Sequence, residues 1–244
     1  MAVSLKGKNA VITGASRGIG YAASIALAQE GVNIVLAARN EHDLNAVKAE
    51  VEALGVKALA VPTDVADKDA VANLKKAALA EFGQIDILVN NAGVGRYTDV
   101  LHTTIEDYDW MMNTNMRSTF LCTSAFLPEM VERESGSIIT VSSQAGLFGF
   151  GGEAVYCATK FAQVGFCQAL DNEVREKNVK VSIIAPGGVG THFAIGTGRD
   201  EGAPYLDEML DADSVADAIV FAAKQPPKSR ILLIGMRPMS EPPF

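Results

Sequence analysis

The stretch Val11-Ile-Thr-Gly-Ala-Ser-Arg-Gly-Ile-Gly20 reads as a buried strand running into a glycine turn that opens a helix. Ala10, Val11 and Ile12 are apolar up to the turn, and Tyr21-Ala-Ala-Ser-Ile-Ala-Leu-Ala28 behind it is rich in helix formers. Such a junction is an anion site. The first N–H groups of a helix lack an intrahelical acceptor, and the helix dipole favours negative charge there. Glycine lets a phosphate approach the backbone without meeting a Cβ. The candidate cradle is Gly14, Ser16, Arg17, Gly18, Ile19 and Gly20, spaced Gly-x-x-x-Gly-x-Gly. Alone, this spacing also fits an ordinary strand-to-helix turn.

Outward from that turn, strand and helix signatures alternate. Strands are expected at residues 10–13, 33–38, 56–61, 85–90, 137–142, 179–184 and 230–234. Helices are expected at 18–30, through Leu44, Val47, Val51 and Leu54, and at 67–82, 104–134, 154–177 and 212–224. Gly31, Gly55 and Gly83 stand where helices should stop. Thr104 with Asp107 resembles a capping box, and Pro128 is expected to kink or restart the long fourth helix near its end. The alternation predicts an α/β fold, one doubly wound parallel sheet of about seven strands with right-handed crossovers. One domain is expected over 1–244, with a substrate loop at 187–210 and a short tail at 236–244. Ligands of such sheets bind outside the carboxyl ends of the strands. Those ends are Gly14, Ala38 and Arg39, Asp64, Asn91, Ser142 and Ser143, and Pro186.

Composition narrows the classes. A net charge of −8 gives no general attraction for nucleic acid or an anionic membrane. No apolar run reaches bilayer-spanning length, and residues 1–8 are too charged for a signal peptide. Cys122, Cys157 and Cys167 show no paired spacing, and His42, His102 and His192 lie far apart. A disulfide framework or a metal site is therefore not expected, and the expected compartment is the reducing cytoplasm.

The residues at the strand ends suggest chemistry. An acid at the end of the second strand would accept from an adenosine 2′-hydroxyl; here the strand ends Ala37-Ala38-Arg39, and Arg17 lies in the turn. Two arginines suit a phosphate monoester, which favours NADP(H) over NAD. Asp64 is placed to accept from the adenine amino group with Val65 against the ring, or else to cap the third helix in competition with Asp67. Tyr156 and Lys160 are four residues apart and share a helix face, with Ser143 at the preceding strand end. A nearby ammonium favours phenolate, and bringing a tyrosine to neutrality takes about 4 kcal/mol. Tyr156 could then give a proton to a carbonyl oxygen that Ser143 also bonds.

Thr13-Gly-Ala-Ser-Arg-Gly-Ile-Gly20, Asn90-Asn-Ala-Gly93, Ser143, Tyr156-Cys-Ala-Thr-Lys160 and Pro186-Gly-Gly-Val-Gly-Thr191 together resemble the short-chain dehydrogenase/reductase family over residues 5–235. The resemblance implies a Rossmann-type fold and an NADP(H)-dependent carbonyl reductase, with Tyr156 as acid/base, Lys160 on the nicotinamide ribose and Ser143 on the substrate carbonyl. It makes Asn115, in preference to Asn113, the fourth catalytic residue, holding a water that leads to the lysine. It places Asn91, Ala92 and Gly93 along the cofactor, with Pro186 and Gly187 also binding it, and Val189 and Thr191 near its carboxamide. Homo-oligomers, commonly tetramers joined through the helices at 104–134 and 154–177, are also implied. One departure is the ending Ile231-Leu-Leu-Ile-Gly-Met-Arg-Pro-Met239, which lacks the glycine pair common in acyl-carrier-protein reductases. It resembles instead the branch acting on small carbonyl compounds and hydroxy acids. A 3-oxoacyl-carrier-protein reductase, a sugar or polyol dehydrogenase and a catalytically silent NADP-binding regulator are the alternatives.

The substrate is expected to be a small molecule in a pocket flanked by Leu147, Phe148, Phe150, His192 and Phe193. The glycines of 187–198 suggest a mobile lid. Arg96 is a candidate for an anionic substrate, or a solvated surface charge.

Overall fold

The computed structural model describes residues 2–241. They form one parallel sheet of seven strands in the order β3-β2-β1-β4-β5-β6-β7. The strands are β1 Asn9–Thr13, β2 Asn33–Ala38, β3 Ala58–Pro62, β4 Ile87–Asn90, β5 Gly136–Val141, β6 Val179–Pro186 and β7 Leu233–Met236. The α-helices are α1 Gly18–Gln29, α2 Glu41–Ala53, α3 Lys68–Phe82, α4 Ile105–Met111, α5 Ser118–Glu132, α6 Ala154–Val174 and α7 Ala212–Ala223. No helix among the described residues is long and apolar enough to cross a membrane.

Strand residues alternate between two cores, as a period of two requires. Ala10, Ile12, Ile34 and Leu36 pack with α1, α2 and α7. Val11, Val35, Leu88, Ile138 and Val181 pack with α3, α5 and α6. Covered on both faces, the central strands are apolar throughout, which is why Ile34-Val-Leu36 shows no alternation. The strand order reverses direction between β1 and β4, so the crevice at their carboxyl ends is the natural ligand site.

Three expectations about elements are corrected. The long helix of 104–134 is interrupted at Met112–Arg117, where a π turn separates α4 from α5. Pro128, expected to kink or restart it near its end, sits inside α5, which runs on to Glu132. Pro128 removes one N–H, but the Ser124 residue that loses its partner is exposed, so the loss falls on the outer side of the helix. The last strand is Leu233–Met236 rather than 230–234. Its register is set by pairing with Ile183–Pro186, while Ser182 Oγ ties Ile231 from the side at 2.7 Å.

Candidate active site

Two turns meet at the switch point. Thr13 Oγ1 accepts from the Asn91 and Ala92 N–H groups at 2.9 and 3.0 Å, and Asn91 Nδ2 donates to the Thr13 carbonyl at 2.8 Å. This pins the turn after β4 to the turn after β1. The glycines there differ in role. A Cβ on Gly14 would stand 2.9 Å from Asn91 Nδ2, and one on Gly20 would collide with the Gly14 carbonyl. Gly20 therefore serves close packing of helix on turn and does not line the cleft. Gly18, at φ +57, starts α1 at the cleft wall.

The N-terminus of α1 carries no side-chain cap and no acid in its first turn. By contrast Asn40 caps α2, Asp67 caps α3 and Thr104 caps α4. Free N–H groups opening on a cleft fit an anionic group such as a dinucleotide's diphosphate. Arg17 and Arg39 are exposed on the same cleft and, among the described residues, sit in no ion pair. Asp64, freed of the capping role that Asp67 fills, lines the cleft beside Val65.

The cleft has a volume of about 1050 Å³. From the expected set it is lined by Gly14, Ser16, Arg17, Gly18, Ile19, Arg39, Asp64, Val65, Asn91, Ala92, Gly93, Ser143, Tyr156, Lys160, Pro186, Gly187, Val189 and Thr191. Its floor is α6. Tyr156 and Lys160 are both buried, with Nζ 5.7 Å from the Tyr156 ring centre. Ser143 faces the Tyr156 phenol, working against the rise of its pKa, and its hydroxyl accepts from the Ala145 N–H at 3.1 Å. Lys160 Nζ donates to the Val141 carbonyl at 3.2 Å and to Gln163 Oε1 at 3.0 Å.

The electrostatics correct one expectation. Burial dominates the Tyr156 phenol and pushes its pKa well above the ordinary value. Tyr97 and Glu153 push the same way, and Ser143 and Arg199 work against them. Burial also lowers Lys160 to about 7. The groups that lower the phenol are Ser143 and Arg199, and they do not outweigh its burial. Desolvation acts on both groups and disfavours each one's charged form.

Asn115 does not reach the cleft. It is fully buried in the π turn, where its side chain accepts from the Val94 N–H at 2.8 Å and donates to the Val94 carbonyl at 2.9 Å. A Cβ on Gly93 would lie 3.5 Å from Asn115 Oδ1 and 3.6 Å from Lys160 Nζ, so Asn115 stands directly behind the floor. The rival Asn113 does line the cleft.

On the substrate side, the rings of Tyr97 and Phe193 lie 5.7 and 5.8 Å from that of Tyr156. Phe150, His192 and Phe193 line the cleft as expected. Leu147 instead packs in the core behind α6, and Phe148 does not line the cleft. Arg96 is paired with Asp107 at 2.7 Å rather than free for a substrate. The 187–210 segment is tied to the loop after β4: the Tyr97 N–H donates to Thr197 at 2.8 Å and Thr197 Oγ1 to Gly95 at 2.7 Å. Sequence reasoning missed Tyr97, Trp110, Glu153, Arg199, Tyr205, Met209, Arg237 and Glu241, all on this cleft. Glu241 is the hardest to foresee. Its carboxylate accepts from the Gly188 N–H at 2.7 Å and pairs with Arg237 at 2.9 Å, folding the tail onto the turn after β6. Among the described residues no His, Cys, Asp and Glu side chains group as a metal site.

The family model described as short chain dehydrogenase matches residues 8–202. The chain belongs to the short-chain dehydrogenase family. This short-chain dehydrogenase is an oxidoreductase by family, with relatives of differing scope. It is 37% identical over 226 residues to the 3-oxoacyl-[acyl-carrier-protein] reductase of Synechocystis sp., covering 91% of this chain and 92% of that one. It is 36% identical over 244 residues to glycine betaine reductase ATRR of Emericella nidulans, covering 98% of this chain but only 19% of that protein. A metagenomic short-chain oxidoreductase in complex with NADP superposes with a TM-score of 0.85 at 33% identity, covering 98% of this chain and 100% of that one.

Proposed function

We propose that this oxidoreductase reduces a ketone, aldehyde or ketoester to an alcohol with NADPH, Tyr156 giving the proton. The observation that carries this reading is the convergence of Ser143, Tyr156 and Lys160 on the floor of one cleft whose far end is the uncapped start of α1. The dinucleotide supplies the hydride when bound; the chain's own residues do the rest. The α1 N–H groups and the turn Gly14–Gly20 hold the diphosphate, with Asn91, Ala92 and Gly93 along the bound molecule. Arg17 and Arg39 face a 2′-phosphate, and the NADP complex of a structural relative supports this choice. Pro186, Gly187, Val189 and Thr191 hold the carboxamide end. Ser143 bonds the substrate oxygen beside Tyr156.

A phenol is protonated near neutrality at its ordinary pKa and burial only raises that value, so Tyr156 is in the form that donates to a carbonyl oxygen as negative charge develops there. Lys160 and, behind it, Asn115 keep cationic and polar groups under the reacting region. The aromatic walls Tyr97, Phe150 and Phe193 suit a substrate with an apolar arm. A second reading, reduction of a 3-oxoacyl thioester, is favoured by the similarity to the cyanobacterial reductase.

A screen of NADPH consumption against ketones, ketoesters, diketones and acyl thioesters separates the two. With the best substrate, Tyr156→Phe should lose at least about 100-fold in kcat, the usual worth of a positioned proton donor. NADPH binding, followed by quenching of the single tryptophan Trp110 on the cleft wall, should survive. Equal turnover by the variant would end the assignment of Tyr156.

A further inference from the structure

Behind Lys160 lies a buried glutamine that the proposed chemistry does not use. Gln163 is one turn further along α6 and 1% exposed. Its Oε1 accepts from Lys160 Nζ at 3.0 Å. Its Nε2 donates to the Asn115 main-chain carbonyl at 3.0 Å and to Thr119 Oγ1 at 2.8 Å. The amide can face only one way. Turned over, its NH₂ would meet the ammonium and its oxygen would meet the Asn115 carbonyl. That carbonyl belongs to the π turn, where the helical pattern is displaced and the Ser118 N–H bonds Asn113, five residues back.

We propose that Gln163 is a positioning residue for Lys160: a fixed amide link, anchored on the π turn, that sets where the ammonium sits under the cleft and how firmly it keeps its proton. The proposal rests on the reading of Lys160 as the charge beneath the reacting region. An ammonium has three N–H donors. Val141 and Gln163 take two of them, leaving the third for the cleft that Lys160 lines. An amide carries no charge and no labile proton near neutrality, so the link fixes position without neutralising the cation.

The groups around Nζ make Gln163 decisive. From α6 itself the Tyr156 ring faces it, and that phenol is the titratable neighbour. From β5 comes the Val141 carbonyl, from the turn after β4 Gly93, and from the π turn the Asn115 amide oxygen nearby. Among the described residues no carboxylate acts on Lys160, and burial alone sets its lowered pKa. The Gln163 oxygen is therefore the one side-chain acceptor bonded to the ammonium among those residues.

The test is a carbon-13 NMR titration of the Lys160 ε-methylene in the full chain without nucleotide, assigned by loss of the signal in Lys160→Met. Hydrogen bonding to a charged form favours it, and an opposite charge favours it more. The midpoints should rise in the order Gln163→Leu, wild type, Gln163→Glu, the two variants differing by more than about one pH unit. Should the glutamate variant fail to fold by circular dichroism, Gln163→Met takes its place, and its midpoint must fall below wild type. Equal midpoints in folded variants would overturn the proposal. NADPH binding, read from Trp110 in the same samples, keeps the two readings apart. A wild type that binds no dinucleotide removes the function proposed above, whereas intact binding with an unmoved Lys160 midpoint removes only the role of Gln163.

Discussion

At the scale of single residues, the cleft is governed by burial more than by pairing. Lys160 has few polar partners and a pKa lowered to about 7 against the ordinary 10.5. Between those values the unfolded chain binds more protons than the folded one, so stability rises with pH across that window. Wild type should gain on the order of 1–3 kcal/mol relative to Lys160→Met over it, with a constant gap at lower pH. Denaturant titrations on either side of the window measure this, and a flat difference would mean that Lys160 titrates as an exposed lysine does. Arg39 makes the opposite case, being fully legible from its place at the end of β2 and exposed on the cleft. Arg39→Asp should shift the ratio of kcat/KM for NADPH over NADH by about tenfold or more toward NADH, since a charge-assisted contact becomes a repulsion. An unchanged ratio would leave cofactor choice to other groups.

At the scale of elements, the strand, turn and helix expected around Gly14–Gly20 form as β1 and α1, but its glycines were not all assigned their actual work. Gly20 faces the Gly14 carbonyl and the Asn91 amide rather than the cleft. Gly14 lies in the same turn and Asn91 just after the neighbouring strand β4, and it is the folding back of the turn, not the glycine spacing, that brings them against Gly20. Backbone cannot yield as a side-chain tip can, so Gly20→Ala should cost at least about 2 kcal/mol, read as a lower urea midpoint. A variant as stable as wild type would show that the turn relaxes easily. The interruption at Met112–Arg117 was likewise not legible. No spacing there marks a π turn, which is held by Val94 and Gln163 from other parts of the chain and by Thr119 just beyond it on α5. Pro128 drew attention because it lacks an N–H, yet that loss falls at the exposed Ser124, on the outer side of the helix.

At the scale of the molecule, the apolar balance leaves a second surface to cover. Ile105 and Tyr108 on α4, Phe120 on α5 and Phe161 on α6 are exposed, on the helices expected to join subunits. Large apolar groups clustered on one face mark contact surfaces. The expected assembly is a homotetramer, four times the 25.8 kDa chain in sedimentation velocity. Replacing Phe120 and Phe161 by glutamate should lower that mass; a monomeric wild type would leave those rings to another partner.

The sequence by itself determined the sheet and most of the residues that line the cleft at its strand ends, because these depend on local periodicity, turn glycines and residues a few positions apart. Tertiary structure decided the rest. Burial opposes the expected lowering of the Tyr156 pKa, and contacts between distant segments brought Tyr97 and Glu241 to the site. Desolvation and long-range contact belong to three-dimensional neighbours, and no spacing along one chain encodes them.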